Sequence, residues 1–360
     1  MSSLAERLSA LTLELVDCAS ESREEQPAID LAARLLSDAG VPVRDAGDTC
    51  LIAGTAERGE RPLILLAGHL DTVPAQDNRP GRIEGDVVFG LGTCDMKGAC
   101  AVMIELLRDG LHTDPDRACD VGVVLFGREE LPFVETALSP MLEREEALQT
   151  ADLAVVMEPT ANGVQGGCLG NLNATWIFRG TAAHSARPWH GDNAIHRAAE
   201  GVARLAQIPV EHHEFNGLSY AECVSVTRIG GGVADNVIPD RAEAHVNYRY
   251  PPGVAPGIAE AQLRAWCDLE QTELRIIGNA PSGAVATDGV LARALIARSG
   301  REVTPKQAWT PVAEFGLLGI PAVNYGPGDP QYAHKRDEQV DASALVDSYE
   351  TLAALIRTGT

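Results

Sequence analysis

Residues 63–71 read LILLAGHLD, in which an unbroken apolar run at 63–68 ends directly before His69, and Asp71 follows two residues later. An apolar run without alternation is typical of a strand that is buried on both faces of a parallel sheet. The runs VGVVLFG at 121–127 and LAVVM at 153–157 have the same character, and residues 98–108 have the apolar spacing of a helix. Strands that alternate with helices in this way predict a layered α/β domain.

A different pattern begins after residue 170. Three segments have strand character and one has the spacing of an amphipathic helix, namely 173–179, 225–229 and 242–249 for the strands and 193–207 for the helix. The α/β character then resumes at residue 287, and helical patterns are found at 4–16, 29–39 and 342–357. We therefore predict a catalytic domain formed by residues 1–171 and 280–360, with a smaller α+β domain inserted at 172–279 and GNAP at 278–281 as the return linker.

The composition limits the possible partners. The chain of 360 residues contains 29 Lys and Arg against 51 Asp and Glu, a net charge of -22. An acidic surface repels the phosphates of nucleic acids and of anionic lipids, so we expect neither nucleic acid nor a membrane as a partner. The eight cysteines are scattered without a C-x-x-C pair, and the sequence starts without an apolar signal segment. These features predict reduced thiols and a cytoplasmic location.

Potential metal ligands stand at the ends of the predicted strands. His69 and Asp71 follow the first strand, the doublet Glu129-Glu130 follows the second, and Glu158 follows the third. Because open α/β sheets place their sites at the carboxyl ends of the strands, we expect these side chains to lie together.

Two further candidates come from loops. Asp95 lies in GLGTCDMKG before a predicted helix, where a carboxylate can bridge two cations, and His334 lies in a distant loop. Five of these seven side chains suffice to bind two zinc ions, which leaves a carboxylate to act as a base and predicts a two-metal hydrolase. Each residue alone has an ordinary explanation as a helix cap, a solvated loop end or a structural histidine. Their repetition at successive strand ends favours the metal site.

Local chain geometry separates some of the roles. His69 and Asp71 are two residues apart on an extended chain and face the same side, so Asp71 can orient or tune a metal-binding His69. Adjacent residues diverge in direction, so one member of Glu129-Glu130 can bind metal while the other faces the attacking water.

Taken together, these motifs resemble the ArgE/DapE family of di-zinc amidohydrolases, which also includes aminoacylases and glutamate carboxypeptidases. The resemblance begins near residue 60 and rests on HLD at 69–71, GLGTCDMKG at 90–98, the glutamate doublet, EP at 158–159 and His334. Further segments resemble the actinobacterial type of succinyl-diaminopimelate desuccinylase: AHSARP at 183–188, GDNA at 191–194, GGVADNVIP at 231–239 and GPGDP at 326–330. The resemblance implies a zinc-exopeptidase-like α/β catalytic domain with an inserted α+β dimerisation domain.

Carried over to this chain, the family pattern assigns the metal ligands. It makes Asp95 the ligand that bridges two zinc ions, for which Co²⁺ can substitute. His69 and Glu158 complete one zinc site, and Glu130 and His334 complete the other.

The family pattern also implies the remaining site residues. Glu129 takes a proton from the attacking water and delivers it to the leaving amine. A homodimer is implied, in which His184 stabilises the oxyanion in the partner's active site and Asn236 acts across the same interface. Arg249 matches an arginine that binds a substrate carboxylate, although a surface ion pair on an edge strand is the alternative.

The chain departs from the desuccinylase pattern at two places. Where that type has Trp-Thr-Asp-Val-Ala-Arg-Phe, residues 309–315 are WTPVAEF, so an Asp is lost and Glu314 replaces an arginine. Since this loop lies next to the substrate in related enzymes, we expect Glu314 to disfavour a carboxylate-rich ligand. Arg128 also precedes the glutamate doublet, where many family members have Asp.

The resemblance implies a zinc-dependent amidohydrolase that removes an N-acyl group from an amino acid, with N-succinyl-diaminopimelate as the leading substrate. The alternative is an N-acetylornithine deacetylase-like enzyme or a deacylase of specialised metabolism, which the altered loop would suit. A dipeptidase or carboxypeptidase comes third. A non-catalytic zinc-binding relative is a different class, and the sequence argues against it because Glu129 needs to be a carboxylate only if chemistry follows.

Overall fold

The computed structural model describes residues 2–359, which divide into two compact units. The first unit comprises residues 2–167, 284–306 and 310–359, and the second comprises residues 168–283 and 307–309. The α-helices of the described residues are α1 Leu4–Asp17, α2 Gln26–Ser37, α3 Gly98–Arg108, α4 Leu138–Arg144, α5 Ala194–Leu205, α6 Pro256–Trp266, α7 Val290–Ser299, α8 Val312–Leu317 and α9 Ala342–Thr358.

The strands of the same residues are mostly short. They are β1 Val43–Gly47, β2 Cys50–Gly54, β3 Leu63–His69, β4 Arg82–Glu84, β5 Val87–Phe89, β6 Asp120–Phe126, β7 Leu153–Val156, β8 Gln165–Gly166, β9 Gly170–Arg179, β10 Ala183–His184, β11 Glu211–Phe215, β12 Leu218–Gly231, β13 Val237–Ile238, β14 Arg241–Tyr250, β15 Thr272–Ala280, β16 Thr304–Pro305, β17 Ala322–Asn324 and β18 Gln339–Asp341.

The first unit is built on an eight-stranded sheet with the order β1-β2-β6-β3-β7-β17-β8-β16. Strand β3 pairs in parallel with β6 on one side and with β7 on the other. Every residue of β3 and β6 is buried, which explains why both segments are unbroken apolar runs in the sequence. The three predicted strands and the predicted helix at 98–108 are therefore confirmed as β3, β6, β7 and α3.

The parallel pairing fixes where the candidate ligands emerge. Strand β3 ends at His69, β6 ends at Phe126 and β7 ends at Val156. Because these neighbouring strands run in the same direction, their carboxyl ends lie at one edge of the sheet. Helices α1, α3 and α9 pack against one another beside the sheet and form much of the hydrophobic core.

A buried lysine ties α1 to the turn that precedes α3. The Lys97 ammonium, 1% exposed, donates hydrogen bonds to the carbonyl oxygens of Leu15 at 2.9 Å and Cys18 at 2.8 Å. These carbonyls lie at the C-terminal end of α1, where backbone acceptors lack partners within the helix. Burial lowers the pKa of Lys97 to about 8. Its role is therefore to hold the turn that carries Asp95.

The second unit is an antiparallel five-stranded sheet with the order β11-β12-β14-β9-β15, accompanied by the small ladder β10-β13. Helices α5 and α6 cover one face, and burial alternates along β14, with every second side chain buried on that face. Two details differ from the sequence-based expectation. Strand β12 is much longer than the predicted 225–229, and β15 continues to Ala280, so residues 278–280 are strand and not linker.

All eight cysteines carry free thiols. Among the described residues, no helix has both the length and the apolar character that crossing a bilayer requires.

Candidate metal centre

The carboxylate of Asp95 lies between two histidines. Its Oδ1 atom is 3.3 Å from Nε2 of His69, and its Oδ2 atom is 3.4 Å from Nε2 of His334. Each oxygen of this carboxylate therefore faces a different imidazole, an arrangement suited to a ligand shared by two cations. The turn that carries Asp95 begins at Gly92, whose left-handed φ of 82° is a conformation that glycine adopts without steric cost.

Two glutamates extend this arrangement on opposite sides. Glu130 Oε1 lies 2.9 Å from His334 Nε2, and Glu158 Oε1 lies 4.0 Å from His69 Nε2. The ligand atoms of His69, Asp95 and Glu130 all lie within 4.8 Å of one another, which is compact enough to hold a metal ion. The structure thus brings together all five side chains that were expected to bind metal, although they are spread along the sequence from position 69 to position 334.

Asp71 organises the same edge of the sheet. Nδ1 of His69 lies 3.0 Å from the backbone oxygen of Asp71 and 3.5 Å from its carboxylate, which leaves Nε2 directed at Asp95. The Asp71 carboxylate also accepts the backbone N–H groups of Glu129 and Glu130 at 3.1 and 3.2 Å. Asp71 therefore orients the imidazole through its backbone oxygen, and its fully buried carboxylate fixes the glutamate doublet.

The pKa shifts reflect the crowding of acids. Burial and the neighbouring Glu158 raise the pKa of Glu129 well above its ordinary value. Burial opposes ionisation of Asp95, but hydrogen bonds from His334 and His69 hold the pKa of Asp95 below its ordinary value. The hydrogen bonds to Asp95 and Glu130 raise the pKa of His334 to about 11. The cluster therefore retains protons on its imidazoles when no other cation neutralises its acids.

The donor set fits a pair of divalent cations. Oε1 of Glu158 is buried and has no hydrogen-bond partner among the described residues, and burial together with Asp95 raises the pKa of Glu158 to about 7. A buried carboxylate oxygen without a partner is costly in free energy unless a cation neutralises it. Imidazole nitrogen and carboxylate oxygen are ligands that zinc accepts in catalytic sites.

Sequence reasoning missed a residue that holds the Asp95 turn. The carboxylate of Glu338, 2% exposed, accepts the backbone N–H groups of Gly92 at 2.9 Å, Cys94 at 3.1 Å and Asp95 at 3.0 Å. Burial raises the pKa of Glu338 to about 7. Glu338 ends the segment AHKRDE at 333–338, which belongs to the resemblance, but neither that segment nor the spacing from His334 indicates a role for this glutamate.

A second missed residue completes the surroundings of Asp71. The Ser22 hydroxyl donates to Oδ2 of Asp71 at 2.7 Å, and the Ser22 backbone N–H donates to the Thr72 carbonyl at 3.0 Å. Ser22 lies in a polar segment between two helices, and nothing in its local sequence marks it.

The other three predicted site residues belong to the second unit. His184 and Asn236 are exposed and come from neighbouring chain segments, since His184 pairs with Val237 in the β10-β13 ladder. Nδ1 of His184 accepts the backbone N–H of Ala186 at 3.1 Å.

Arg249 is not on an edge strand. It lies on β14, which has β12 on one side and β9 on the other. Its Nε donates to Oδ1 of Asn247 at 3.0 Å, and it forms no ion pair with a carboxylate among the described residues. Burial lowers the pKa of Arg249. The alternative of a surface ion pair on an edge strand is therefore wrong, and the guanidinium is a partly desolvated cation that lacks an acidic partner.

The expectation that Glu314 acts on the substrate with its negative charge is also wrong. Its side chain is 1% exposed and accepts hydrogen bonds from the hydroxyls of Thr136 and Ser139, so it is enclosed within the first unit. An anion enclosed in this way does not present its charge to a ligand. Arg128, the other residue that departs from the family pattern, forms an ion pair with Asp48 at 2.6 Å.

The buried Glu314 makes folding stability depend on pH. Burial raises the pKa of Glu314 to about 7 from an ordinary 4.5. The folded state therefore binds more protons than the unfolded state between these values, so the contribution of Glu314 to stability falls as pH rises through this range. Between pH 5 and pH 8, we expect the unfolding free energy of the wild type to fall by roughly 2 to 3 kcal/mol relative to Glu314→Gln.

Urea unfolding at both pH values, in the presence of a chelator, measures this difference. Glu143→Gln is the matched control, because Glu143 is an exposed glutamate on the adjacent helix α4. If Glu314→Gln and Glu143→Gln show the same pH dependence, Glu314 does not titrate in this range.

Comparison with known proteins places the chain in a family. The sequence profile of peptidase family M20/M25/M40 matches residues 65–358. The chain belongs to this family. A Mycobacterium tuberculosis (strain H37Rv) protein, named a candidate succinyl-diaminopimelate desuccinylase DapE, is 37% identical over 95% of this chain and 96% of its own length. A succinyl-diaminopimelate desuccinylase of Corynebacterium glutamicum is 34% identical over 94% of this chain and 92% of its own length.

Solved structures give the same fold. A tripeptidase from Staphylococcus aureus matches this M20 chain with a TM-score of 0.80 at 19% identity, over 98% of both chains. The fold of this chain is therefore shared with a protein whose sequence has diverged widely.

Proposed function

We propose that this M20 chain is a zinc-dependent amidohydrolase that removes the succinyl group from N-succinyl-diaminopimelate. The observation that carries the hydrolytic part is the division of the Asp95 carboxylate between His69 and His334. The choice of substrate rests on the two desuccinylase-named relatives, which align with nearly the whole chain.

Each proposed metal position takes one imidazole and one glutamate. His69 and Glu158 would hold one zinc ion, Glu130 and His334 would hold the other, and Asp95 would contribute one oxygen to each. Zinc ions bound there would polarise the amide carbonyl and lower the pKa of water, and Co²⁺ can substitute. Asp71 keeps His69 in the orientation that directs Nε2 at the site.

Glu129 is the proposed general base. Its backbone is fixed by Asp71, and its carboxylate takes the proton of the attacking water and later delivers it to the leaving nitrogen.

His184 is proposed to stabilise the oxyanion of the tetrahedral intermediate. Because Nδ1 accepts the N–H of Ala186, the neutral ring carries its proton on Nε2. That N–H is then available as a donor to the developing negative charge. Asn236 lies on the neighbouring segment and is proposed to assist in binding the substrate.

Arg249 is proposed to bind a carboxylate of the substrate. A partly desolvated guanidinium without an acidic partner favours an anion that can accept two parallel hydrogen bonds. Diaminopimelate derivatives carry such carboxylates.

We further propose a homodimer that works in the cytoplasm. The second unit exposes Ile195, Ile229 and Val233 by 39%, 55% and 85%. Ile229 and Val233 line one cavity and Ile195 lies beside Gly232, and apolar groups exposed close together are typical of an interface. Eight free thiols suit a reducing compartment.

Reconstitution with metal tests the proposal. Purified protein is freed of metal with a chelator, reloaded with zinc or cobalt, and assayed with N-succinyl-diaminopimelate, N-acetylornithine and a dipeptide. We expect about two metal ions per chain and cleavage of the succinyl compound that chelation abolishes and zinc restores.

The other outcomes are equally informative. Turnover of N-acetylornithine alone would assign the chain to deacetylation, and turnover of the dipeptide alone to peptide hydrolysis. Two bound metal ions without any turnover would support a non-catalytic zinc-binding protein.

A further inference from the structure

Three asparagine side chains lie beside Arg249 on the second unit. Asn171 and Asn173 come from β9, and Asn247 comes from the neighbouring strand β14. Together with Arg249 they occupy alternate positions of the two strands, on the face opposite to the buried side chains that pack against the helices. We call Asn171, Asn173 and Asn247 the asparagine ladder.

The hydrogen bonds of the ladder run in one direction. Nδ2 of Asn247 donates to Oδ1 of Asn171 at 2.7 Å and to Oδ1 of Asn173 at 2.8 Å. Nδ2 of Asn173 also donates to Oδ1 of Asn171 at 3.1 Å. Both amide hydrogens of Asn247 are thus engaged by acceptors, which directs its carbonyl oxygen the other way.

That carbonyl oxygen accepts Nε of Arg249 at 3.0 Å. A flipped Asn247 amide would place its NH₂ group against the guanidinium N–H, donor against donor, and would lose both bonds to the ladder. The ladder therefore fixes the orientation of the Arg249 side chain. It does so without a negative charge, so the positive charge of the guanidinium is not neutralised.

The geometry leaves a defined part of the guanidinium available. Nε is occupied by Asn247, and neither Nη1 nor Nη2 has a hydrogen-bond partner among the described residues. A carboxylate can accept one hydrogen bond from each Nη atom in a planar, two-point contact.

We infer that Asn247 is a positioning residue that presents the two Nη groups of Arg249 to a substrate carboxylate, with Asn171 and Asn173 holding Asn247 in place. This inference rests on the proposed function, since it specifies how the anionic part of the substrate is recognised. It assigns to the substrate a carboxylate that meets the guanidinium end-on.

Two substitutions of Asn247 separate orientation from charge. Asn247→Ala removes the acceptor for Nε of Arg249 together with the ladder bonds. We expect KM to rise about tenfold, which corresponds to the loss of one hydrogen bond to a charged group. Asn247→Asp keeps the shape but places a carboxylate against Arg249, which competes with that of the substrate, and we expect KM to rise about 100-fold. Both variants should retain kcat and metal content.

Matched variants distinguish positioning from a structural effect. Thr175→Ala is the control, because Thr175 lies on the same face of β9, two residues beyond Asn173. We expect it to leave KM unchanged. In an Arg249→Ala background, Asn247→Ala should have no further effect on KM, since its action passes through the guanidinium. The inference would be overturned if Asn247→Ala still changed KM in the Arg249→Ala background. It would also be overturned if the two single Asn247 variants had the same KM as Thr175→Ala.

A second measurement does not depend on turnover. The Nε–H resonance of Arg249, assigned by comparison with Arg249→Lys, should shift in Asn247→Ala and stay in place in Thr175→Ala. If the wild type hydrolyses none of the substrates, the proposed function fails, but this resonance still decides whether Asn247 orients Arg249. An unchanged resonance in Asn247→Ala overturns the positioning role.

Discussion

Replacing Glu129 with glutamine is expected to lower kcat by at least about 10³-fold while the protein keeps its metal ions. Glutamine has nearly the same shape, so the backbone N–H bond to Asp71 that fixes this residue remains. What is lost is the capacity to accept the proton of water and return it to the leaving nitrogen. Because none of the proposed metal ligands changes, metal content after dialysis and KM should stay close to those of the wild type.

The control lies six residues further along the chain. Glu135 pairs with Arg23 at 2.8 Å on the surface, so Glu135→Gln changes one charge near the site without touching the proposed chemistry. Steady-state kinetics and metal analysis of both variants give the answer. Activity of Glu129→Gln above a tenth of the wild-type value, or loss of metal in that variant, would remove Glu129 from the role of base.

The fold of the first unit can be predicted from the sequence because it depends on apolar patterns within short segments. Strands β3 and β6 are buried on both faces, and such burial requires continuous apolar runs that are visible without a structure. The same runs place His69 and the glutamate doublet at strand ends. Parallel pairing then brings these ends together. The division of the seven candidates into five metal ligands and two other residues came from the family resemblance, since Asp95 and His334 lie in loops.

Other features depend on contacts between distant segments and leave no local trace. Glu338 acts on a turn 243 residues earlier, and Asn247 acts through bonds to Asn171 and Asn173 on another strand. Glu314 illustrates the reverse error, since the place of its loop in related enzymes suggested a position facing the ligand. Its burial is compensated by hydrogen bonds from the hydroxyls of Thr136 and Ser139, which belong to a segment about 175 residues away.

Replacing Glu338 with alanine is expected to weaken metal binding and to destabilise the fold together. The carboxylate accepts three backbone N–H groups of the Asp95 turn, and alanine would leave these buried donors without an acceptor. Unsatisfied buried donors cost about 1 to 3 kcal/mol each, so we expect the free energy of unfolding to fall by about 3 kcal/mol or more.

Metal affinity should fall about 10- to 100-fold in the same variant, the range for residues that orient metal ligands through hydrogen bonds. Glu338 stands on the loop that also carries His334, so one carboxylate joins the two chain segments that meet at the Asp95 carboxylate. Zinc titration measures the affinity. Urea unfolding in the presence of a chelator measures the stability of the fold without the contribution of bound metal.

Asp337→Ala provides the matched control for this prediction, because Asp337 is the exposed neighbour of Glu338 in the same loop. It should bind zinc and unfold as the wild type does. A Glu338→Ala protein that binds two zinc ions as tightly as Asp337→Ala would show that the Asp95 turn keeps its shape unaided. An unchanged unfolding free energy would further mean that water satisfies the three N–H groups, which requires the turn to open to solvent.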